Sequence, residues 1–195
     1  MQRKSCPESD DLMVEKSAPN ARIPLPDLKQ LDAEQQRVAD EVASGPRKEV
    51  RGPVHVWLHS PELASRAQKL GEFLRWGTTL DARVSELVIL VTARHYDCRY
   101  MWNNHVGLAL KAGLTQEVID CIDAGRAPSF AKTDEAVAYA FTTEMLERNT
   151  VSDATLAQAR NLLGDRGVVE MGALIGHYHN GAIALAVADI STPAT

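Results

Sequence analysis

Apolar residues recur every three or four positions along most of this chain, which is the spacing of one face of an α-helix. A first helix is predicted from Asp27, a candidate N-cap, to the break at Gly45–Pro46. The alternating run 54–59 has no second strand-like run to pair with, so we interpret it as an extended or single-turn connector. Further helices are predicted to begin near Ser60, Asp81, Thr115, Thr133, Ser152 and Asp165, and another, which follows a kink or restart around Tyr96, runs through Trp102 to Ala112. The pattern therefore predicts an all-α domain of about seven to eight helices.

The N-terminal segment lacks this periodicity and combines prolines with many charges. Such a composition buries little apolar surface, so residues 1–26 are predicted to be disordered or to wrap against a neighbouring subunit. The rest of the chain, residues 27–195, is long enough to form one hydrophobic core. The sequence thus predicts one helical domain that follows an N-terminal tail.

The charge balance argues against several classes of partner. The net charge is −5, aromatic residues make up only 5%, and lysine and arginine are not clustered. Neither nucleic acid nor a membrane surface is therefore an expected partner, because both are bound through clustered basic residues. No apolar run reaches the roughly 18 residues that span a bilayer, and no secretory signal is recognisable. Three cysteines are too few, and an odd number, for a disulfide scaffold, so a cytoplasmic protein is expected.

One segment concentrates reactive side chains. Cys98, Met101 and His105 are spaced so that they would share one face of a single helix. Glu86 precedes them in an apolar stretch, where a carboxylate is expected to be partly buried and to need a partner. A thiol, an imidazole and a half-buried acid can relay a proton. The residues alone leave plainer roles open, namely a buried hydrophobic cysteine, a core histidine and an acid that complements the helix dipole.

This segment resembles a known family. The pattern Glu86-x11-Cys98-x2-Met101-x3-His105, followed by the run from Gly107 to Ile119, is similar to the signature of the carboxymuconolactone decarboxylase and alkylhydroperoxidase-D-like family. The similarity is specific over 80–124 and looser over 55–189. It implies an all-helical fold in a homo-oligomer (a dimer, trimer or hexamer), with the site near the subunit contacts.

The chain departs from the peroxidase branch of that family at one position. That branch carries two cysteines three residues apart, one to reduce a peroxide and one to resolve the sulfenic acid as a disulfide. Met101 stands at the second position, and a thioether cannot form that bond. A Cys98-dependent antioxidant enzyme that uses an external thiol is therefore the alternative, as is a non-catalytic helical oligomer that binds a ligand.

The decarboxylase branch needs an apolar pocket, a cation for a carboxylate and a group that moves one proton. The resemblance implies a cofactor-independent lyase acting on a small unsaturated carboxylated lactone or a related aromatic-degradation metabolite. His105 is the expected acid or base, since its ordinary pKa lies nearest neutrality; Glu86 would orient it, and Cys98 would line the pocket or donate a proton. The expected substrate-binding residues are Arg94, Arg99, Met101, Trp102, Trp57, His59 and His177.

No metal site is expected from the sequence. It contains no His-Glu-x-x-His motif and no paired-cysteine motif. His177 and His179 lie two positions apart, which directs their rings towards roughly opposite sides of a helix.

Overall fold

The computed structural model describes residues 22–190, and these form eight α-helices and no β-strand. The predicted all-α class is confirmed. None of the helices in this range has both the length and the apolar composition needed to cross a membrane. The helices are α1 (Ala33–Ser44), α2 (Pro53–Trp57), α3 (Pro61–Trp76), α4 (Ala82–His95), α5 (Arg99–Ala112), α6 (Gln116–Asp123), α7 (Thr133–Arg148) and α8 (Asp153–Ala188).

Several predicted helix starts coincide with observed N-caps. The Asp81 carboxylate accepts a hydrogen bond from the Arg83 amide at 2.9 Å, and the hydroxyls of Thr115 and Ser152 accept from amides three residues later. The helices predicted near Ser152 and Asp165 follow one another within α8, where Gly164, with a φ of 67°, interrupts the helical conformation. The run 54–59 overlaps the short helix α2, which is the single-turn form of the predicted connector.

The first helix begins later than predicted. Its N-cap is Asp32, because the Asp32 carboxylate accepts from the Glu34 and Gln35 amides while the Gln35 side chain accepts from the Asp32 amide. This reciprocal capping box stabilises a helix start at Asp32. Asp27 instead accepts from the Lys29 amide in a turn. The predicted start at Asp27 is therefore wrong.

Helix α4 forms the centre of the molecule, since every residue from Arg83 to Ala93 is buried. It packs against α5, α7 and α8 and contributes to a first apolar cluster. A second apolar cluster joins α1, α2 and α3 to the end of α8, where Ala184 and Ala188 contribute. Helix α8 therefore runs along both clusters, and the candidate site lies beside the part of it that connects them.

The described end of the predicted tail is fixed to the segment around α2. The carbonyls of Pro26 and Pro24 accept hydrogen bonds from Nε2 of His55 and of His59, each at 2.8 Å. Ile23 and Leu25 of the tail also pack against the second apolar cluster. Residues 1–21 lie outside the described residues, so the division into a tail (1–26) and a domain (27–195) stays a prediction.

Candidate active site

A histidine and a carboxylate from consecutive helices are in direct contact. Oε2 of Glu86 on α4 lies 2.6 Å from Nδ1 of His105 on α5. Both residues are buried, with exposed fractions of 9% and 7%. The carboxylate accepts a hydrogen bond from Nδ1–H, which fixes the orientation of the ring and leaves Nε2 as the nitrogen available to a ligand. The structure thus brings together two of the predicted site residues.

The surroundings of His105 favour its neutral form. Burial lowers the pKa of His105, contact with Glu86 opposes that shift, and the positive charges of Arg75 and Arg51 add to the lowering. A neutral ring with Nδ1–H bound to Glu86 keeps a lone pair on Nε2, so it can accept a proton. An anion beside the arginines would offset their charge and raise this pKa. Binding of an anionic ligand would therefore favour uptake of a proton by His105.

A cavity of about 70 Å³ lies beside His105. Apolar side chains form much of its wall, including Val54, Trp57, Met101 and Leu185. Three arginines are its charged lining residues, and no aspartate or glutamate within 22–190 lines it. An apolar space with an excess of positive charge favours a small organic anion.

The three arginines come from segments that the sequence analysis did not single out. Arg47 and Arg51 lie in the loop between α1 and α2, and Arg75 lies in the last turn of α3. Nε of Arg47 is buried without a hydrogen-bond partner in the described part of the chain, whereas Arg51 pairs with Glu49 at 3.3 Å. The only sequence signal for Arg47 and Arg51 is their position next to the two Gly-Pro breaks at 45–46 and 52–53.

Three of the predicted substrate-binding residues, Met101, Trp57 and His177, line the cavity. Two others, Trp102 and His59, do not line the cavity. The Trp102 ring is buried in the first apolar cluster, and the exposed His59 is bound to the Pro24 carbonyl. Among residues 22–190, no group of three or more His, Cys, Asp or Glu residues is placed to hold a metal ion.

The two arginines expected to bind a substrate carboxylate, Arg94 and Arg99, also lie outside the cavity lining. Both are bound to Asp123 in α6. Nε of Arg94 donates to the Asp123 carbonyl at 2.8 Å, and Nη1 of Arg99 pairs with the Asp123 carboxylate at 2.6 Å. The guanidinium groups beside His105 are instead those of Arg47, Arg51 and Arg75.

Cys98 lies just outside the helix that carries His105, whereas the sequence analysis placed both residues in one helix. It is the N-cap residue of α5, which begins at Arg99, and it follows Asp97, whose φ is 47°. Together with its neighbours it lines a separate small recess outside the His105 cavity. Burial raises the pKa of the Cys98 thiol, a backbone hydrogen bond from Met101 opposes this shift, and the charge of Asp97 raises the pKa further. A raised pKa disfavours the thiolate, which is the nucleophilic form of cysteine.

A pH-dependent stability is expected from His177. Burial and the positive charge of Arg47 lower the pKa of His177 from 6.5 to about 4. The folded protein therefore binds a proton at His177 less readily than the unfolded chain does. The stability that this neutral histidine gives the folded state is fully present above pH 6.5 and is lost as the pH falls towards 4. Between pH 7 and pH 5 wild type should lose about 2 kcal/mol more unfolding free energy than His177→Phe. Urea unfolding of both proteins at the two pH values measures this difference, and an equal loss would contradict it.

A comparison with family models relates part of the sequence to one family. Residues 61–144 match the model of the carboxymuconolactone decarboxylase family, a range that includes Glu86, Cys98, Met101 and His105. No curated protein sequence matches the chain.

Two crystal structures share the fold. One is a protein of unknown function from Agrobacterium tumefaciens that carries the name of an antioxidant defence protein, AhpD; it is 16% identical, with a TM-score of 0.62 over 74% of this chain and 100% of that one. The other is an uncharacterised peroxidase-related protein from a Silicibacter species, which is 15% identical with a TM-score of 0.71 over 90% of this chain and 93% of that one.

Proposed function

Since this chain belongs to the carboxymuconolactone decarboxylase and alkylhydroperoxidase-D-like family, we propose that it is a cofactor-independent lyase acting on a small unsaturated carboxylated lactone. The observation that carries this proposal is the buried His105–Glu86 pair beside a cavity that three arginines line. The pair offers one transferable proton, and the arginines offer positive charge for a carboxylate. The family includes both decarboxylases and peroxidases, and the residues of this site favour the first reaction.

The proposed reaction replaces one carboxylate of the lactone by hydrogen. Binding of the anionic lactone favours uptake of a proton at Nε2 of His105, and Glu86 stabilises the resulting imidazolium. When the bond between the ring carbon and the leaving carboxylate breaks, carbon dioxide departs and the electron pair moves towards the lactone carbonyl. Nε2 then gives its proton to the ring system, and His105 returns to its neutral form. No metal or organic cofactor is needed in this sequence of steps.

The cavity has an apolar wall and a wall that carries arginines, and each suits a different carboxylate of the substrate. An arginine that held the leaving carboxylate would stabilise it before the reaction and so oppose its loss. The leaving group is therefore expected beside the apolar residues Val54 and Leu185, and a second carboxylate beside the arginines. Positioning by a charged group remote from the reacting bond is a common use of binding energy in enzymes.

Peroxide reduction is the second candidate, because one fold neighbour carries the name of an antioxidant defence protein and the other is named as peroxidase-related. The site supports it less well. Cys98 lies outside the cavity that His105 lines, its pKa is raised, and Met101 occupies the position of a resolving cysteine. A peroxidase would need a thiolate that is exposed and has a lowered pKa.

Parallel assays of wild type and Cys98→Ser distinguish the two candidates. One assay follows release of carbon dioxide from 4-carboxymuconolactone, and the other follows reduction of cumene hydroperoxide with dithiothreitol as the external thiol. We expect lactone turnover by both proteins, with a loss of less than about threefold in Cys98→Ser, because serine keeps the size and hydrogen-bonding capacity of a residue outside the cavity. Peroxide turnover that disappears in Cys98→Ser, with no lactone turnover in wild type, would support the peroxidase instead.

We also propose that the chain forms a homo-oligomer. Helix α8 exposes Val169, Ile183 and Val187, and α3 exposes Phe73 and Trp76, each with more than two fifths of its surface accessible. Large apolar side chains at the surface favour burial against another copy of the chain.

A further inference from the structure

His177 lies on the wall of the same cavity as His105, but on a different helix, α8. The ring of Tyr178 lies beside both: its centroid is 5.2 Å from that of His105 and 5.6 Å from that of His177, with the planes nearly perpendicular in each case. Within the described chain, neither ring nitrogen of His177 has a hydrogen-bond partner. Its N–H donor is therefore available to a ligand or a water molecule in the cavity.

The electrostatic surroundings keep this ring uncharged. Burial and the neighbouring Arg47 hold the pKa of His177 near 4, so the imidazole is neutral at neutral pH. A neutral imidazole carries one N–H donor and no net charge. Because the three arginines already supply positive charge for carboxylates, an uncharged donor is better suited to a carbonyl oxygen on which negative charge develops later.

The packing around the ring holds it in place. A Cβ atom added at Gly71 of α3 would lie 2.5 Å from Nε2 and 2.9 Å from Cε1 of His177, so the imidazole packs directly against the glycine of α3 and would have to shift if a side chain were added there. The Trp57 ring lies at a centroid distance of 6.0 Å from the same imidazole. A donor whose position is fixed before the reaction stabilises developing charge without the cost of reorganisation.

We propose that His177 is a second catalytic residue, the uncharged hydrogen-bond donor to the lactone carbonyl oxygen during loss of carbon dioxide. This inference rests on the proposed function. As the carbon–carbon bond breaks, its electron pair delocalises onto that oxygen, and the hydrogen bond from His177 strengthens without transfer of its proton. His105 then supplies the proton that completes the product, so the two histidines have separate roles.

The test compares His177→Phe, which keeps an aromatic ring but has no donor, with His177→Gln, which keeps an N–H donor. Both are assayed on 4-carboxymuconolactone, and kcat and KM are determined separately. His177→Phe should lower kcat roughly 10- to 100-fold, the value of a hydrogen bond to a charged group, with KM within about threefold. His177→Gln should recover part of this loss. His179→Phe is the matched control, because His179 is on the same helix and stacks on Tyr96 outside the cavity.

Each outcome decides between the two proposals. Lactone turnover that depends on His105 but keeps its kcat in His177→Phe overturns the role of His177 and leaves the proposed function intact. A loss confined to KM also overturns that role, since it indicates ground-state binding only. Absence of lactone turnover in wild type overturns both proposals. If His177→Phe does not fold, as judged by circular dichroism, His177→Leu replaces it as the variant without a donor.

Discussion

Replacement of His105 by glutamine is expected to lower kcat for 4-carboxymuconolactone by on the order of 100-fold or more, the usual contribution of a general acid or base. Glutamine keeps a polar side chain beside Glu86, but its amide cannot take up a proton and return it at neutral pH. The loss should appear in kcat and in kcat/KM alike, because the proton moves only after the substrate has bound. Steady-state assays across a range of substrate concentrations measure both quantities.

The matched control is His95→Gln, since His95 is exposed at the end of α4, outside the cavity lining. It makes the same chemical change at another histidine and should leave both kinetic constants near their wild-type values. Circular dichroism of both variants tests whether the fold is retained. A folded His105→Gln protein with wild-type kcat would contradict a proton transfer at this residue.

Local signals in the sequence were sufficient for most of the fold. The caps at Asp81, Thr115 and Ser152 are formed by a residue and amides no more than three positions away, so sequence spacing alone predicts them. The error at Asp27 arose because two aspartates precede the same apolar stretch. The reciprocal bond between Asp32 and Gln35 decides between them, and its Asp-x-x-Gln spacing is visible in the sequence.

The sequence predicts only the part of the candidate site that comes from segments adjacent along the chain. Glu86 and His105 lie on consecutive helices joined by a short turn, so the two helices pack side by side and the pair meets. The approach of Arg47 and Arg75 depends on how the two apolar clusters pack along α8, which no local pattern encodes. Cys98 lies outside α5 for a local reason, because the left-handed backbone at Asp97 separates α4 from α5, which begins at Arg99.

Replacement of Arg83 by methionine is expected to lower the free energy of unfolding by about 3–5 kcal/mol. Arg83 joins the start of α4 to the start of α7, where it pairs with the carboxylate of Glu135 and, at 2.7 Å, with that of Asp134. The side chains of Arg83 and Glu135 are only 9% and 7% exposed. Methionine would leave the Glu135 charge buried without its partner, and the desolvation cost of that charge would no longer be offset. Urea unfolding at pH 7 measures the change.

Two further variants identify the cause of this loss. In Arg83→Met/Glu135→Leu no buried charge lacks its partner, so much of the lost stability should return. Arg66→Met removes an exposed arginine from its pair with Glu62, whose side chains are 80% and 68% exposed, and should change stability far less because solvent screens that pair. If the double variant were as unstable as Arg83→Met, the loss would come from the packing of the arginine side chain, and the buried carboxylate would not be its cause.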